Sequence, residues 1–445
     1  MNRKMKLSTK EWIGQIPSEW GCGALLTQLR SKITDGPHET PSLVDENEGI
    51  PFVSVDSVNS TKNLDFSVVK KYISEADYLE YSKKARLEIG DVLFTKAASI
   101  GKTAIVGNEK FMVWSPIAIL KTDSSKYFNE FLYYVLNCDG AIEFARNILG
   151  NETTQVNVGM RALEKTPIPI PPISEQNAIV QYLDSKCTAI DKAIDWHKKI
   201  IEKQTEYETA LISHAVINGL HITKKKSSGY ELIGDIPETW NVLRLRFIGN
   251  TTNGISKGGE HFGHGSPFVS YSDVYKHIEL PDNIEGLVDS TKDEQQRYSV
   301  QKGDIFFTRT SETVDEVGFS SVCTKTIPNA TFAGFLIRVR PFNNYLEPSY
   351  AKYYFRGKHL RDYFAREMDI TTRASLSQNF LKNVPVVIPP KKEQIEIAEY
   401  LDEVCKKISF AIQNHKIIVN KLEEYRKSVI YHAVTGKIDC REVTK

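Results

Sequence analysis

The chain has 445 residues and lacks most features that would announce a membrane, an oxidising compartment or a metal site. No apolar run approaches the roughly 18 residues needed to cross a bilayer, so no membrane is expected. The opening segment, MNRKMKLSTKEW, has no apolar core behind its charges, so a secretory signal is not expected either. The six cysteines, Cys22, Cys138, Cys187, Cys323, Cys405 and Cys440, form no CxxC pair. That argues against a zinc ribbon or a thioredoxin-like site and for reduced thiols in the cytoplasm. Excess charge of one sign is also missing. Fifty-seven basic residues face 56 acidic ones, a net of +1. A role on nucleic acid would need its cations segregated locally.

Catalytic signatures are absent too. There is no GxSxG, no HExxH and no Asn- or Asp-Pro-Pro-Tyr tetrad, and no carboxylate cluster suggests a nuclease. GKT at Gly101 to Thr103 resembles the end of a phosphate-binding loop, but Lys96 stands where the earlier glycine belongs. A turn between strands is the better reading. No catalytic residue and no metal ligand set is expected.

What the sequence does have is a duplication. WIGQIPSEW (Trp12 to Trp20) recurs as LIGDIPETW (Leu232 to Trp240), and IPFVS at Ile50 as SPFVS at Ser266. GDVLFT (Gly90 to Thr95) recurs as GDIFFT (Gly303 to Thr308), and TPIPIPPISEQ at Thr166 as VPVVIPPKKEQ at Val384. The offset wanders between 213 and 220 in the first part of each repeat, then locks at 218 through Tyr182/Tyr400, Cys187/Cys405 and His214/His432. Such a long period marks a duplicated domain rather than a solenoid unit. The first part tolerates insertions as loops do. The second tolerates none, as a packed helix would.

That second part reads as one long helix after a double proline. Leu183, Cys187, Ile190, Ile194, His197 and Ile201 in the first copy, and Leu401, Cys405, Ile408, Ile412, His415 and Val419 in the second, fall at steps of 3 and 4. This is coiled-coil spacing. A helix from Ile173 to Asn218 would be near 70 Å long, too long for the inside of a small domain. Mutual antiparallel packing of the two helices is expected, against the plainer alternative of each docking on its own globule.

The first part of each repeat reads as an α+β globule. PFVSV, DVLFT, TAIVG, PFVSY, DIFFT and FLIRVRP suit strands; Asn129 to Asn137 and Ser349 to Ala365 are amphipathic. Each globule nets −1, but residues 317–388 hold ten basic and four acidic residues. Arg338, Arg340, Lys352, Arg356, Lys358, Arg361, Arg366 and Arg373, interleaved with tyrosines, could face phosphates or form a solvated helix face. The glycine cluster Gly254, Gly258, Gly259, Gly263 and Gly265 reads as a flexible loop, in which Lys257 could follow a nucleic-acid groove. His261 and His264 have no cysteine nearby to complete a metal set.

Taken together, the duplicated motifs resemble those of the specificity subunit of type I restriction–modification enzymes. HAVTGKI closes the second copy; HAVINGLHI is a looser counterpart in the first. The resemblance implies target-recognition domains over residues 1–172 and 227–388, and long spacer helices over 173–226 and 389–445. Fold class would be α+β: two tandem-duplicated recognition domains separated by two antiparallel coiled-coil helices. Each domain would read one half of a split target in double-stranded DNA. Two methylation subunits carrying S-adenosylmethionine would dock on the chain, and restriction/translocase subunits using ATP and Mg would join. The resemblance also implies which loops approach DNA. After GDxLFT these are Lys96, Ser99 and Lys102, and Arg309, Thr310 and Ser311. Before the long helices they are Thr153, Thr154 and Gln155, matched by Thr371, Thr372 and Arg373. Arginine suits guanine, glutamine suits adenine and hydroxyls serve either. The alternative is a coiled-coil adaptor that reads no DNA sequence, and an enzyme with a fused methylase or nuclease is a further reading that lacks its catalytic residues.

Overall fold

The computed structural model describes residues 3–59, 61–147, 157–311, 317–342, 345–367 and 374–442. The chain divides into two compact units. One comprises Met1–Lys198 with Ile417–Lys445, the other Lys199–Lys416. Each unit therefore holds one globule, the first half of that repeat's helix and the second half of the other repeat's helix.

In the first unit a four-stranded antiparallel sheet runs in the order Thr34–Asp35, Ile117–Leu120, Val92–Thr95, Thr103–Ile105. The second unit repeats it as Gly249–Asn253, Leu336–Pro341, Ile305–Thr308, Ser320–Val322. A second sheet in each unit contains a parallel pair, Met112–Val113 beside Ile50–Val53 and Thr331–Phe332 beside Phe262–Val269. A third pairing ties the globule's start to its end: Gly21–Ala24 with Pro167–Ile170, and Asn241–Arg244 with Pro385–Ile388. The fold is thus mixed α and β and duplicated, and the expected strands are all present. Asn129–Leu136 is helical as expected. Ser349 to Ala365 is two helices, Pro348–Tyr354 and Lys358–Glu367, broken at Gly357, where a Cβ would meet the His359 ring at 2.5 Å.

Both long helices form after the double prolines, over Ile173–Asn218 and Lys391–Val434. Neither contains an internal Pro or Gly. They end at Gly219 and Gly436, whose φ of 74° and 71° suit a residue without a side chain. Inside each unit the two helix halves pack antiparallel. In the first, Ile190 and Ile194 cluster with Val419 and Leu422, and Asp191 accepts from Arg426 at 2.9 Å. Further along, Leu183 and Cys187 share a core with Val429, Ile430 and Val434. In the second, Leu211, Ile212, Val216 and Ile217 lie in one core with Ile397, Leu401 and Cys405. Burial pushes the Cys187 and Cys405 thiols up to about 11 and about 12, so both act as small apolar groups. Of the remaining stripe residues, Ile201, Ile408 and Ile412 are half-buried.

One core residue of the second unit is polar without compensation. His359 is buried against Tyr354, and neither ring nitrogen has a hydrogen-bond partner. Burial pulls its pKa down to about 3. The unfolded imidazole takes a proton near pH 6.5, so protonation favours the unfolded chain. Stability is complete above about pH 6.5 and falls as the pH drops from there toward 3, by up to about 1.4 kcal/mol per unit. Chemical unfolding of wild type and His359→Leu between pH 7 and 5 should show the slope reduced in the variant.

Candidate nucleic-acid interface

The repeated motifs build scaffolding. The buried Asp91 and Asp304 close the turn before their strands, accepting from the backbone amides of Glu88 at 2.8 Å and Gln301 at 2.7 Å. Each also takes a cation: Lys121, just past the neighbouring strand, at 2.6 Å, and Arg340, in the neighbouring strand, through two bonds of 2.7 and 2.6 Å. Burial raises the Asp91 pKa despite that lysine. At the helix starts, Gln176 and Gln394 make matching sets of bonds. Each donates to two backbone carbonyls, those of Lys126 and Pro171 or of Tyr345 and Pro389, and accepts one amide, from Phe128 or Glu347. Asp184 and Asp402, of the repeated YLD, each accept from a tyrosine at 2.6 Å, Tyr134 and Tyr353. Lys62 and Lys352 sit beside them.

On this scaffold the two loops implied by the resemblance meet, in the same way in both units. In the first, the Val158 amide donates to the Lys96 carbonyl at 2.9 Å. In the second, the Leu376 amide donates to the Arg309 carbonyl at 2.7 Å, and Thr310–Ser311 pairs with Ala374–Ser375. The Thr310 carbonyl also accepts from the Tyr271 hydroxyl at 3.0 Å. Thr153, Thr154, Gln155, Thr371, Thr372 and Arg373 lie outside the described residues.

The remaining proposed contacts differ in availability. Lys96 is paired with Asp35 and only 12% exposed. Ser99 is exposed in the turn, and its carbonyl accepts from Thr95. Lys102 is half-buried, its amide donating to the Thr95 hydroxyl at 2.9 Å. GKT is therefore the end of a β-turn connection, with Gly101 at φ 94° packed on Ile142. Lys257 donates to the Asp289 carbonyl and to Glu294, at 2.6 and 2.8 Å. Arg309 is half-buried, and its guanidinium has no partner among the described residues.

Two readings of the sequence need correction. The glycine cluster is not a loop throughout: Phe262–Val269 is a strand, and Gly263 and Gly265, at φ 90° and 96°, lie where its pairing register shifts. Among the described residues the basic stretch does not present a free row of cations. Arg340 is held by Asp304 and Lys352 by Asp402, while Lys358 pairs with Asp362 and Arg366 with Glu231. Arg338 donates to the Ser299 carbonyl. Arg356 and Arg361 donate to backbone carbonyls of Ser320, Val317 and Gly318, and both flank Phe319. Burial lowers both guanidinium pKa values to about 10. Among the described residues no group of three His, Cys, Asp or Glu could hold a metal, and no helix is long and apolar enough to cross a membrane.

Comparison with known proteins agrees with this duplicated architecture. A profile of the family described as Type I restriction modification DNA specificity domain matches residues 36–204 and 237–423. The chain belongs to that family and carries two such domains in tandem. It is 23% identical over 340 residues to the type I restriction enzyme EcoBI specificity subunit of Escherichia coli, covering 72% of this chain and 68% of that one. Against the EcoKI specificity subunit of E. coli K12 the identity is 25% over 298 residues, 64% of this chain and 60% of that one. A putative type I restriction enzyme MjaX specificity subunit of Methanocaldococcus jannaschii aligns over 96% of both chains at 23%. Among solved structures, a chain from a study of assembly and conformational transition of the type I R-M system is similar in fold. Its TM-score is 0.72 at 16% identity, covering 95% of this chain and 99% of that one. The HsdS subunit of Thermoanaerobacter tengcongensis has a TM-score of 0.50 at 16% identity, covering 95% and 98%.

The scaffold role of the GD motif is directly testable. Asp304→Ala leaves Arg340 without its carboxylate and should destabilise the protein by about 3 kcal/mol, lowering the urea midpoint. Asp304→Ala with Arg340→Met should recover part of that loss in the same titration.

Proposed function

We propose that the chain is the sequence-reading subunit of a type I restriction–modification assembly, working in the cytoplasm. Each unit reads one half of a bipartite target in duplex DNA. The paired long helices set the number of unread base pairs between the halves. Two methylation subunits, which bind S-adenosylmethionine, dock on the chain, and restriction/translocase subunits using ATP and Mg join them. The chain itself holds no cofactor and performs no chemistry.

The observation that carries this reading is the recurrent loop junction, Lys96 to Val158 and Arg309 to Leu376, built on the same scaffold in both units. Repeated geometry with changed side chains is what two similar readers of different half-sites require. Half-sites near one helical turn apart lie on one face of DNA, and unlike halves need no palindrome. With bulk charge balanced, affinity of the isolated chain for DNA is modest and grows with its partners.

The test is methylome sequencing of cells expressing this chain with its neighbouring methylase gene, beside cells lacking the chain. A split motif carrying N6-methyladenine in both halves, lost without the chain, is expected. An unchanged methylome, with the methylase active beside another specificity chain, would leave an adaptor role. Seven residues inserted into both helices, after Lys198 and after Lys416, should lengthen the spacer by roughly three base pairs with both half-sites kept. An unchanged spacer would show that the helices are not the ruler.

A further inference from the structure

The two units diverge most informatively one rung beyond the ladder that carries the GD motif. In the first unit Thr95 pairs with Ile117, and the next rung brings together Lys96 and Pro116, whose carbonyl accepts the Lys96 amide at 2.7 Å. In the second unit Thr308 pairs with Leu336, and the next rung brings together Arg309 and Phe335 through a matching bond of 2.9 Å. Residues opposite each other in an antiparallel pair project to the same face.

The first rung offers DNA little, because Asp35 neutralises Lys96. The second rung is open: the Arg309 guanidinium has no partner among the described residues and Phe335 is 64% exposed. That exposure comes from a turn held at several points. The Gly334 amide donates to the Ile255 carbonyl at 2.7 Å and the Leu336 amide to the Ala333 carbonyl at 3.0 Å. A Cβ on residue 334 would meet the Ser256 hydroxyl at 2.3 Å. A large apolar ring is thus raised into solvent by a fixed turn, beside a cation with no partner among the described residues, at the junction of the two loops.

We propose that Phe335 is a base-contacting residue of the second unit, acting with Arg309 on adjacent base pairs. The guanidinium takes the O6 and N7 acceptors of a guanine in the major groove, and the ring packs on the 5-methyl group of a neighbouring thymine. This inference rests on the DNA-reading role above and adds to it a residue and a chemical target. It also makes the two half-sites unequal: only the second is read by a cation–aromatic pair.

The experiment uses the full chain with its methylation partner. Arg309→Ala should relax one guanine in one half-site, and Phe335→Ala should relax an adjacent thymine in the same half-site, with the other half unchanged. Binding is then measured on duplexes carrying the split motif, with deoxyuridine replacing each thymine of that half in turn. Wild type should lose roughly fourfold at one position, the worth of one buried methyl group, and Phe335→Ala should lose nothing there. Phe335→Leu should keep part of the discrimination, and thermal unfolding of all variants should match wild type. A Phe335→Ala methylome identical to wild type, indifference of wild type to deoxyuridine, or equal weakening on unrelated DNA would each overturn the proposal. A wild-type chain that yields no split motif would instead sink the reading beneath it.

Discussion

Everything else in each unit is arranged around an indole that holds the start of one long helix against the end of the other. The Trp20 ring N–H donates to Glu175 in the first turn of the first helix, at 3.1 Å, while its ring faces Gly436 at the end of the second. Trp240 does the same in mirror fashion, donating to Glu393 at 2.8 Å and facing Gly219. Both glycines need their bare backbone. A Cβ on Gly436 would come within 2.9 Å of the Trp20 ring and 2.4 Å of Pro17; on Gly219 it would come within 3.0 Å of the Trp240 ring. Helix halves from different repeats are thereby registered against each other before any apolar seam is considered.

That registration explains why some motifs recur and others drift. Residues that reach the helix pair, Gln176 and Gln394 or Asp184 and Asp402, keep both their identity and their bonds. The GD turn keeps its carboxylate but exchanges Lys121 for Arg340 as the cation. At the end of the same ladder nothing is kept but the backbone bond: Lys96 opposite Pro116 becomes Arg309 opposite Phe335. Conserved main-chain geometry with free choice of side chain separates what holds the protein from what its partner meets.

Much of this was legible in the residues. The repeated steps of 3 and 4 in the helices, the double prolines and the alternating strands carry their own physical signal. The partners of charged groups carry none. Arg340 and Asp304 are 36 residues apart and meet only because two strands are neighbours, so the sequence does not reveal that Arg340 and Lys352 are held by carboxylates. Gly263 and Gly265 punctuate a bulged strand, yet their composition matches a loop. Phe335 opens FLIRVRP and reads as one more strand residue; only the turn at Gly334 shows that its ring stays outside. The two loops were candidates only through the family resemblance, and their junction is tertiary.

The sharing of helix halves also governs the order in which the protein can form. The first unit contains residues 417–445, which are made after the whole of residues 199–416. Its globule and the first 26 helical residues, Ile173 to Lys198, emerge from the ribosome with one side of the seam open. Leu183, Ile190 and Ile194 then wait without Val419, Val429 and Ile430 while more than 200 further residues are added. At roughly 5–20 residues per second that interval lasts on the order of 10 to 40 seconds. Completion of the first unit therefore waits for the second unit's residues to be made, and an apolar stripe stays exposed until the second long helix arrives.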